Sequence, residues 1–345
     1  MPSEKNIQVL LASRPSGEPV PENFQIVEAA VPEPGPSQML LRTIYLSLDP
    51  YMRNRMNAGP SYAACVEVGG VMEGGAVSAV VSSNLPEYAV GDLVVGRTGW
   101  QKYALSDGKE VQKVDPSVRP LSYALGVLGM PGFTAYTGLL NIGKPQPGET
   151  LVVAAASGAV GSVVGQVAKI KGCRAVGIAG GPEKCRFVKD ELGFDECLDH
   201  RELRLRERLQ AACPQGIDIY FENVGGAVLE AVLPLLNNFA RIPVCGLIAH
   251  YNDASLRRGV DRMPLLMRDI LVRRLTFRGF IVFDFHSQFG DFLSDMSGWV
   301  REGRVKYRED VTDGLENAPR ELIGLLKGQN FGKKLIRVSA DPIGR

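Results

Sequence analysis

The sequence is poor in the residues that most often announce a chemistry. It has three histidines, His200, His250 and His286, all in its second half and none paired at ligand spacing. Its six cysteines, Cys65, Cys173, Cys185, Cys197, Cys213 and Cys245, form no C-x-x-C. A zinc site needs closely spaced Cys or His ligands, so no bound metal is expected. Several cysteines lie in apolar contexts, where the thiol behaves as a small hydrophobe, and structural disulfides are not expected in the cytosol. Charge of one sign is lacking too, with a formal net charge of +1. That removes the electrostatic case for nucleic acid, a membrane surface or polyacidic partners. No apolar run approaches the length of a membrane span. Met1-Pro-Ser-Glu-Lys5 lacks the basic-then-apolar pattern of a signal peptide, and the protein reads as cytoplasmic.

What is present is length and an ordinary globular composition. A chain of 345 residues, 45% hydrophobic and 22% charged, suits two domains or one large α/β domain. Residues 1–127 read as β-rich, with strands expected at 6–12, 24–31, 38–46, 70–73, 76–81, 93–97 and 101–105 between Pro/Gly clusters. Many short strands of this kind suggest a small barrel or partly closed sheet. From 128 to 304 strands and helices alternate, the mark of a doubly wound parallel sheet. Its strands are expected at 149–154, 173–179, 197–199, 217–221, 240–246 and 275–283. Helices are expected at 160–172, 182–192, 227–236 and 288–302. Residues 305–345 return to strand, turn, helix and strand, the last at 333–338.

The chemistry starts in Leu151-Val-Val-Ala-Ala-Ala-Ser-Gly-Ala-Val-Gly-Ser-Val-Val-Gly165. A buried strand breaks at Ser157-Gly158 and resumes as a helix, the opening of a dinucleotide-binding βαβ unit. Gly158 lets backbone approach a pyrophosphate, Gly161 lets helix and strand pack closely, and the unpaired first-turn N–H groups suit phosphate oxygens. The pattern is Ala155-x-x-Gly158-x-x-Gly161, which also occurs in α/β proteins that bind no nucleotide. An NAD site would place Asp or Glu at the end of the second strand. Here Ala179-Gly-Gly-Pro-Glu-Lys184 leaves room for a 2′-phosphate beside Gly180 and offers Lys184 to hold it; the bland alternative is a solvated surface lysine.

Leu48-Asp-Pro-Tyr-Met-Arg53, Gly129-Met-Pro-Gly-Phe-Thr-Ala-Tyr136, Ala155 to Ser162, Phe221-Glu-Asn-Val-Gly-Gly226 and Asn330-Phe-Gly-Lys333 follow one another in a known order. Through them the chain resembles, over essentially its whole length, the zinc-independent medium-chain reductases of the prostaglandin reductase and 2-alkenal reductase family. It looks closest to the bacterial members, the NADPH-dependent curcumin reductases. The resemblance implies a GroES-like β-barrel catalytic domain (1–127 and 305–345) around an inserted Rossmann domain (128–304). It implies NADPH as cofactor, with Gly158, Ala159, Val160, Gly161 and Ser162 at the pyrophosphate and Lys184 at the 2′-phosphate. Asn223 matches the asparagine after the fourth strand. The loop from Cys245 and Gly246 to Tyr251 matches one beside the adenine and the nicotinamide ribose. Phe280, Ile281 and Val282 match the segment over the nicotinamide, and Asn330 a tail amide that contacts the cofactor. Tyr51 and Tyr251 match tyrosines at the substrate cleft, although by themselves they read rather as a barrel plug and a loop anchor. The chain departs from the family at His200, where relatives often have tyrosine, and at Asp253-Ala-Ser-Leu-Arg-Arg-Gly-Val260, where many have a Pro-rich loop.

The implied reaction is reduction of a carbon–carbon double bond conjugated to a ketone or aldehyde. Hydride goes to the β-carbon and a proton to the α-carbon, in a homodimer joined near residues 276–282. Quinone reduction, allylic alcohol oxidation and a crystallin-like NADPH-binding role without turnover are the competing expectations.

Overall fold

The computed structural model describes residues 4–115, 118–253 and 261–342. They divide into two compact units, one made of residues up to Gly126 together with those from Glu309 onward, the other of Val127–Arg308. The second junction falls a few residues beyond the change in pattern at 304.

The first unit opens with β1 (Lys5–Leu11) and β2 (Phe24–Ala30), an antiparallel pair. It continues with β3 (Met39–Ser47), β4 (Gly75–Ser83), β5 (Leu93–Arg97), β6 (Tyr103–Ser106) and β7 (Val111–Lys113). The strand expected at 70–73 does not form. Gly69 turns the chain with a φ of +85°, and Val71 makes only a single bridge to Leu10. Trp100, fully buried, stacks on Phe24 with ring centroids 5.9 Å apart.

The second unit is built on β8 (Thr150–Ala154), β9 (Arg174–Ala179), β10 (Glu196–Asp199), β11 (Ile217–Phe221), β12 (Leu236–Val244) and β13 (Thr276–Gly279). All its pairings are parallel and the spatial order is β10-β9-β8-β11-β12-β13. Strands covered on both faces carry continuous apolar runs, and Leu151, Val152, Val153 and Ala154 are fully buried. The helix Gly161–Ile170 packs so closely that Gly165 has no room for a methyl group. A Cβ there would stand 1.9 Å from the Phe194 ring.

Two elements end differently from expectation. The helix after β11 stops at Val232 and gives way to a short turn, Leu233–Leu235. Pro234 cannot continue a helical ladder, so β12 starts at Leu236 rather than 240. β13 stops at Gly279, and Val282–Gln288 is a 3-10 turn. The Asp284 carboxylate accepts the Ile281 N–H at 3.1 Å, a local side-chain cap that competes with extending the strand. Helices Met130–Thr137, Leu205–Ala212 and Met263–Arg273 were not anticipated.

The chain then returns to the first unit with β14 (Glu309–Asp313) and β15 (Lys333–Arg337). β15 lies between β14 and β3 in the sheet β14-β15-β3-β4-β5-β7, and β6 also pairs with β3. Lys333, 1% exposed, donates from Nζ to the Asp49 carboxylate at 2.6 Å and to the Leu48 carbonyl at 2.8 Å. The Ser47 hydroxyl donates to the other Asp49 oxygen. Two motifs nearly a chain length apart therefore meet in one buried ion pair. Removing either partner alone strands the other charge, which typically costs ~3–5 kcal/mol.

Candidate functional site

In a sheet of this order a ligand lies beyond the strand carboxyl ends, where the order reverses, here between β8 and β11. β8 leaves the sheet through Ala155, whose φ of +53° is uncommon for a residue with a Cβ. The Gly158 N–H closes the turn onto the Ala155 carbonyl at 2.9 Å, and the Ser162 N–H donates to Gly158 at 3.1 Å. Gly158, Ala159 and Val160 are half-buried, and Gly161 and Ser162 are buried. A Cβ on Gly161 would lie 2.3 Å from the Ala155 carbonyl oxygen. The turn is therefore tight only because that side chain is missing. Asn223, just past β11, reaches across the switch point and donates its side-chain amide to the Ala154 carbonyl at 2.8 Å.

The tip of β9 is a basic corner. A Cβ on Gly180 would stand 3.0 Å from His200 Nε2 and 3.3 Å from Arg201 Nε, and one on Gly181 3.3 Å from Arg201 Nη1. The Arg201 guanidinium thus lies over the two glycines. Partial desolvation holds the His200 imidazole below its ordinary range; the Asp199 carboxylate opposes this, while the charges of Arg201 and Lys184 add to it. Asp199, at the end of β10, is 6% exposed and accepts the Arg201 backbone N–H at 2.9 Å. Burial works against its ionisation, but bonds from the Arg201 and Gly181 backbones hold its carboxyl below the usual range. That acid serves the backbone. Sequence reasoning found Lys184, Gly180 and His200 here and missed Arg201.

A second missed residue is Glu222, 1% exposed. Its Oε1 accepts from Tyr220 Oη at 3.1 Å, the Val224 N–H at 2.6 Å and the Gly225 N–H at 2.9 Å. Burial pushes its carboxyl up in spite of these donors. Its backbone carbonyl accepts from Cys245 at 2.9 Å and Gly246 at 3.1 Å, while Asn223 and Val224 accept from Ile248 and Ala249. The loops after β11 and β12 are therefore one hydrogen-bonded body. Burial and then the Glu222 charge push the Cys245 thiol up to about 12. At the far end of the loop the Tyr251 hydroxyl folds back over Gly246, where a Cβ would meet it at 2.9 Å. It accepts the Leu247 N–H in a long 3.4 Å bond. Phe280 points into the core against Phe221, ring centroids 6.3 Å apart, so that Ile281 and Val282 follow at the end of β13.

In the first unit Tyr51 begins the short helix Met52–Arg55. Burial, then the Asp49 charge, raises its phenol well above the ordinary range, so it stays a neutral hydroxyl at physiological pH. The Arg55 guanidinium lies 5.6 Å from the Tyr51 ring and 4.4 Å from the Tyr62 ring and pairs with Glu73 at 3.2 Å. Asn330 donates its side-chain amide to the Gly332 carbonyl at 2.8 Å, next to the Lys333 anchor. Most of the loop at 253–260 lies outside the described residues. Among the described residues no group of three or more His, Cys, Asp or Glu is placed to hold a metal ion, and no helix is long and apolar enough to cross a membrane.

Residues 7–114 match the family model described as the N-terminal domain of oxidoreductase, and residues 159–297 that described as zinc-binding dehydrogenase. The chain belongs to the medium-chain oxidoreductases, within the family of the curcumin, 2-alkenal and prostaglandin reductases. It is 58% identical over 339 residues, 98% of both chains, to the NADPH-dependent curcumin reductase of Escherichia coli K12. It is 41% identical over 343 residues, 97% of this chain and 98% of the relative, to the NADP-dependent 2-alkenal reductase of Nicotiana tabacum. The crystal structure of CurA from Vibrio vulnificus in complex with NADPH superposes with a TM-score of 0.94 at 55% identity, over 97% of this chain and 100% of that one. The fold is thus that of a medium-chain reductase with a Rossmann sheet, and the residues fit a dinucleotide. The Gly161 cradle, the bridged switch point and the glycine tip beneath the Arg201 guanidinium are the features such a ligand needs.

Proposed function

We propose that this protein is an NADPH-dependent reductase of the carbon–carbon double bond of α,β-unsaturated ketones and aldehydes. The observation that carries it is the β9 tip, where His200 and the Arg201 guanidinium stand over Gly180 and Gly181, the Lys184 charge acts on His200 and Asp199 is bonded to the backbone, in a chain this close to a curcumin reductase. A 2′-phosphate suits that corner, and the Asp199 carboxylate, which a ribose 2′-hydroxyl would need as acceptor, is already bonded to the Arg201 and Gly181 backbones.

When bound, NADPH supplies the hydride that reaches the substrate β-carbon. The chain contributes position and charge. The turn Gly158–Ser162 and the loop pair fastened by Glu222 fix the crevice, and fixed orientation is itself a large part of such catalysis. Negative charge gathers on the substrate carbonyl oxygen as an enolate, which a hydroxyl donor stabilises. Tyr251 is assigned that donor role and Tyr51 that of binding the substrate; the α-carbon takes its proton from water or a tyrosine. NADPH oxidation followed with an enone and with a quinone, and NADP⁺ reduction followed with an allylic alcohol, test this directly. Enone turnover should dominate and survive exhaustive chelation. Faster quinone turnover, or activity lost with a stoichiometric metal, would overturn the proposal.

The homodimer is proposed on an exposed face. β13 is the open edge of the six-stranded sheet. Beside it, the helix Met263–Arg273 leaves Met263, Leu265, Met267, Leu271 and Val272 more than half exposed. A second copy pairing β13 to β13 would cover both the edge and the apolar side chains. Light scattering should give twice the chain mass, and a monomer at micromolar concentration would refute it.

A further inference from the structure

Outside the site, two thiols stand together. Cys197 on β10 is in register with Gly177 of β9, and a Cβ on Gly177 would lie 3.1 Å from the Cys197 sulfur. The missing side chain lets that sulfur lean over β9. Helix Pro182–Arg186 starts directly off β9, and its Cys185 N–H donates to the Gly181 carbonyl at 3.2 Å. The two thiols hydrogen-bond to each other, and both are partly exposed, whereas Cys173 and Cys213 are buried. Cys197 donates to Cys185, which holds the Cys185 thiol below the ordinary range against the pull of burial; the same bond, then burial, raises Cys197. Two partly exposed thiols in mutual hydrogen-bond contact are the arrangement of a reversible redox pair.

We infer that Cys185 and Cys197 are a modification site for hydroperoxides, forming a reversible disulfide that weakens NADPH binding. The Cys185 sulfur attacks a peroxide oxygen, the O–O bond breaks, and the departing oxygen takes a proton to leave as alcohol, or as water from hydrogen peroxide. The Cys185 sulfenic acid is then attacked by the Cys197 sulfur; the S–O bond breaks and water departs with the Cys197 proton. Two thiols lose two electrons and two protons, and the peroxide gains them. A hydrogen-bonded pair that closes to an S–S bond of ~2.05 Å draws the first turn of the helix toward β10. Lys184 rides on that turn, and β10 runs directly into Asp199, His200 and Arg201. The effect on affinity rests on the reading of Lys184 above; the linkage does not.

The test treats the reduced full-length protein with hydrogen peroxide and maps peptides by mass, with NADPH affinity measured before and after. A Cys185–Cys197 peptide should appear, reversed by dithiothreitol, and the NADPH Kd should rise ~10-fold, the loss of one charge-assisted contact. Cys197→Ser should bind NADPH normally when reduced and show neither change, while Cys65→Ser should behave as wild type. Only sulfinic or sulfonic acid at Cys185, without a linked peptide, would overturn the inference. So would a linked protein that binds NADPH as tightly as the reduced one. A wrong reading of Lys184 shows separately, as unchanged NADPH affinity in reduced Lys184→Ala.

Discussion

Tyr251→Phe should lower kcat for enones by ~10²-fold, the lower end of what losing one oxyanion donor costs. The expectation rests on where the loop puts the hydroxyl. β12 ends at Val244, and the following residues are tied to Glu222, Asn223 and Val224 by backbone bonds. The Tyr251 hydroxyl then returns over Gly246 and accepts the Leu247 N–H at 3.4 Å. Accepting a hydrogen bond polarises the O–H and makes it a better donor. The substitution removes only the oxygen, so NADPH affinity should change little. Tyr51→Phe should act more on substrate KM, as the hydroxyl assigned to binding the substrate. The decisive condition is that hydride transfer be rate-limiting, shown by an isotope effect with deuterated NADPH. Full kcat in Tyr251→Phe under that condition would leave the tyrosine as a loop anchor, and the enolate to backbone N–H groups or water.

The second large effect falls on the cofactor. Lys184→Ala should raise the KM for NADPH by ~10- to 150-fold, the equivalent of a charge-assisted contact of ~1.5–3 kcal/mol, and leave NADH nearly unchanged. Arg201 lies over the same two glycines and shares the charge, which places the single variant toward the lower figure. Adding Arg201→Ala should extend the loss. Equal losses with NADPH and NADH would show that Lys184 supports the turn rather than the phosphate.

The glycine turn and the alternation of strand and helix were legible because each is written locally. Ala155 to Gly161 carries its own steric requirement, and β11 shows as four apolar or half-apolar residues, Ile217, Ile219, Tyr220 and Phe221, interrupted only by Asp218. Arg201 was not legible. It sits in a run of charged residues after β10, and only the pairing of β10 with β9 brings it onto Gly180. Glu222 was visible as a letter in Phe221-Glu-Asn-Val-Gly-Gly226, but its role depends on loops from two strands. The helix Met263–Arg273 is apolar on several sides, so it shows no single stripe to read; one of those sides is exposed in the single chain. Asp49 and Lys333 each stand in a short motif, yet nothing local says that they touch.

That contact has a consequence for the chain as it is made. The second unit is one continuous stretch, Val127–Arg308, and every strand of its sheet has been synthesised before β15 exists. The first unit cannot say the same. β15 pairs with Tyr45–Ser47 of β3 and brings Lys333 to Asp49. Domains generally fold as units during synthesis, the N-terminal one first; here that order is inverted. Until β15 is made, Tyr45–Ser47 of β3 lack that strand partner and the Asp49 carboxylate lacks its cation. The nucleotide-binding half is complete before the half that was begun earlier.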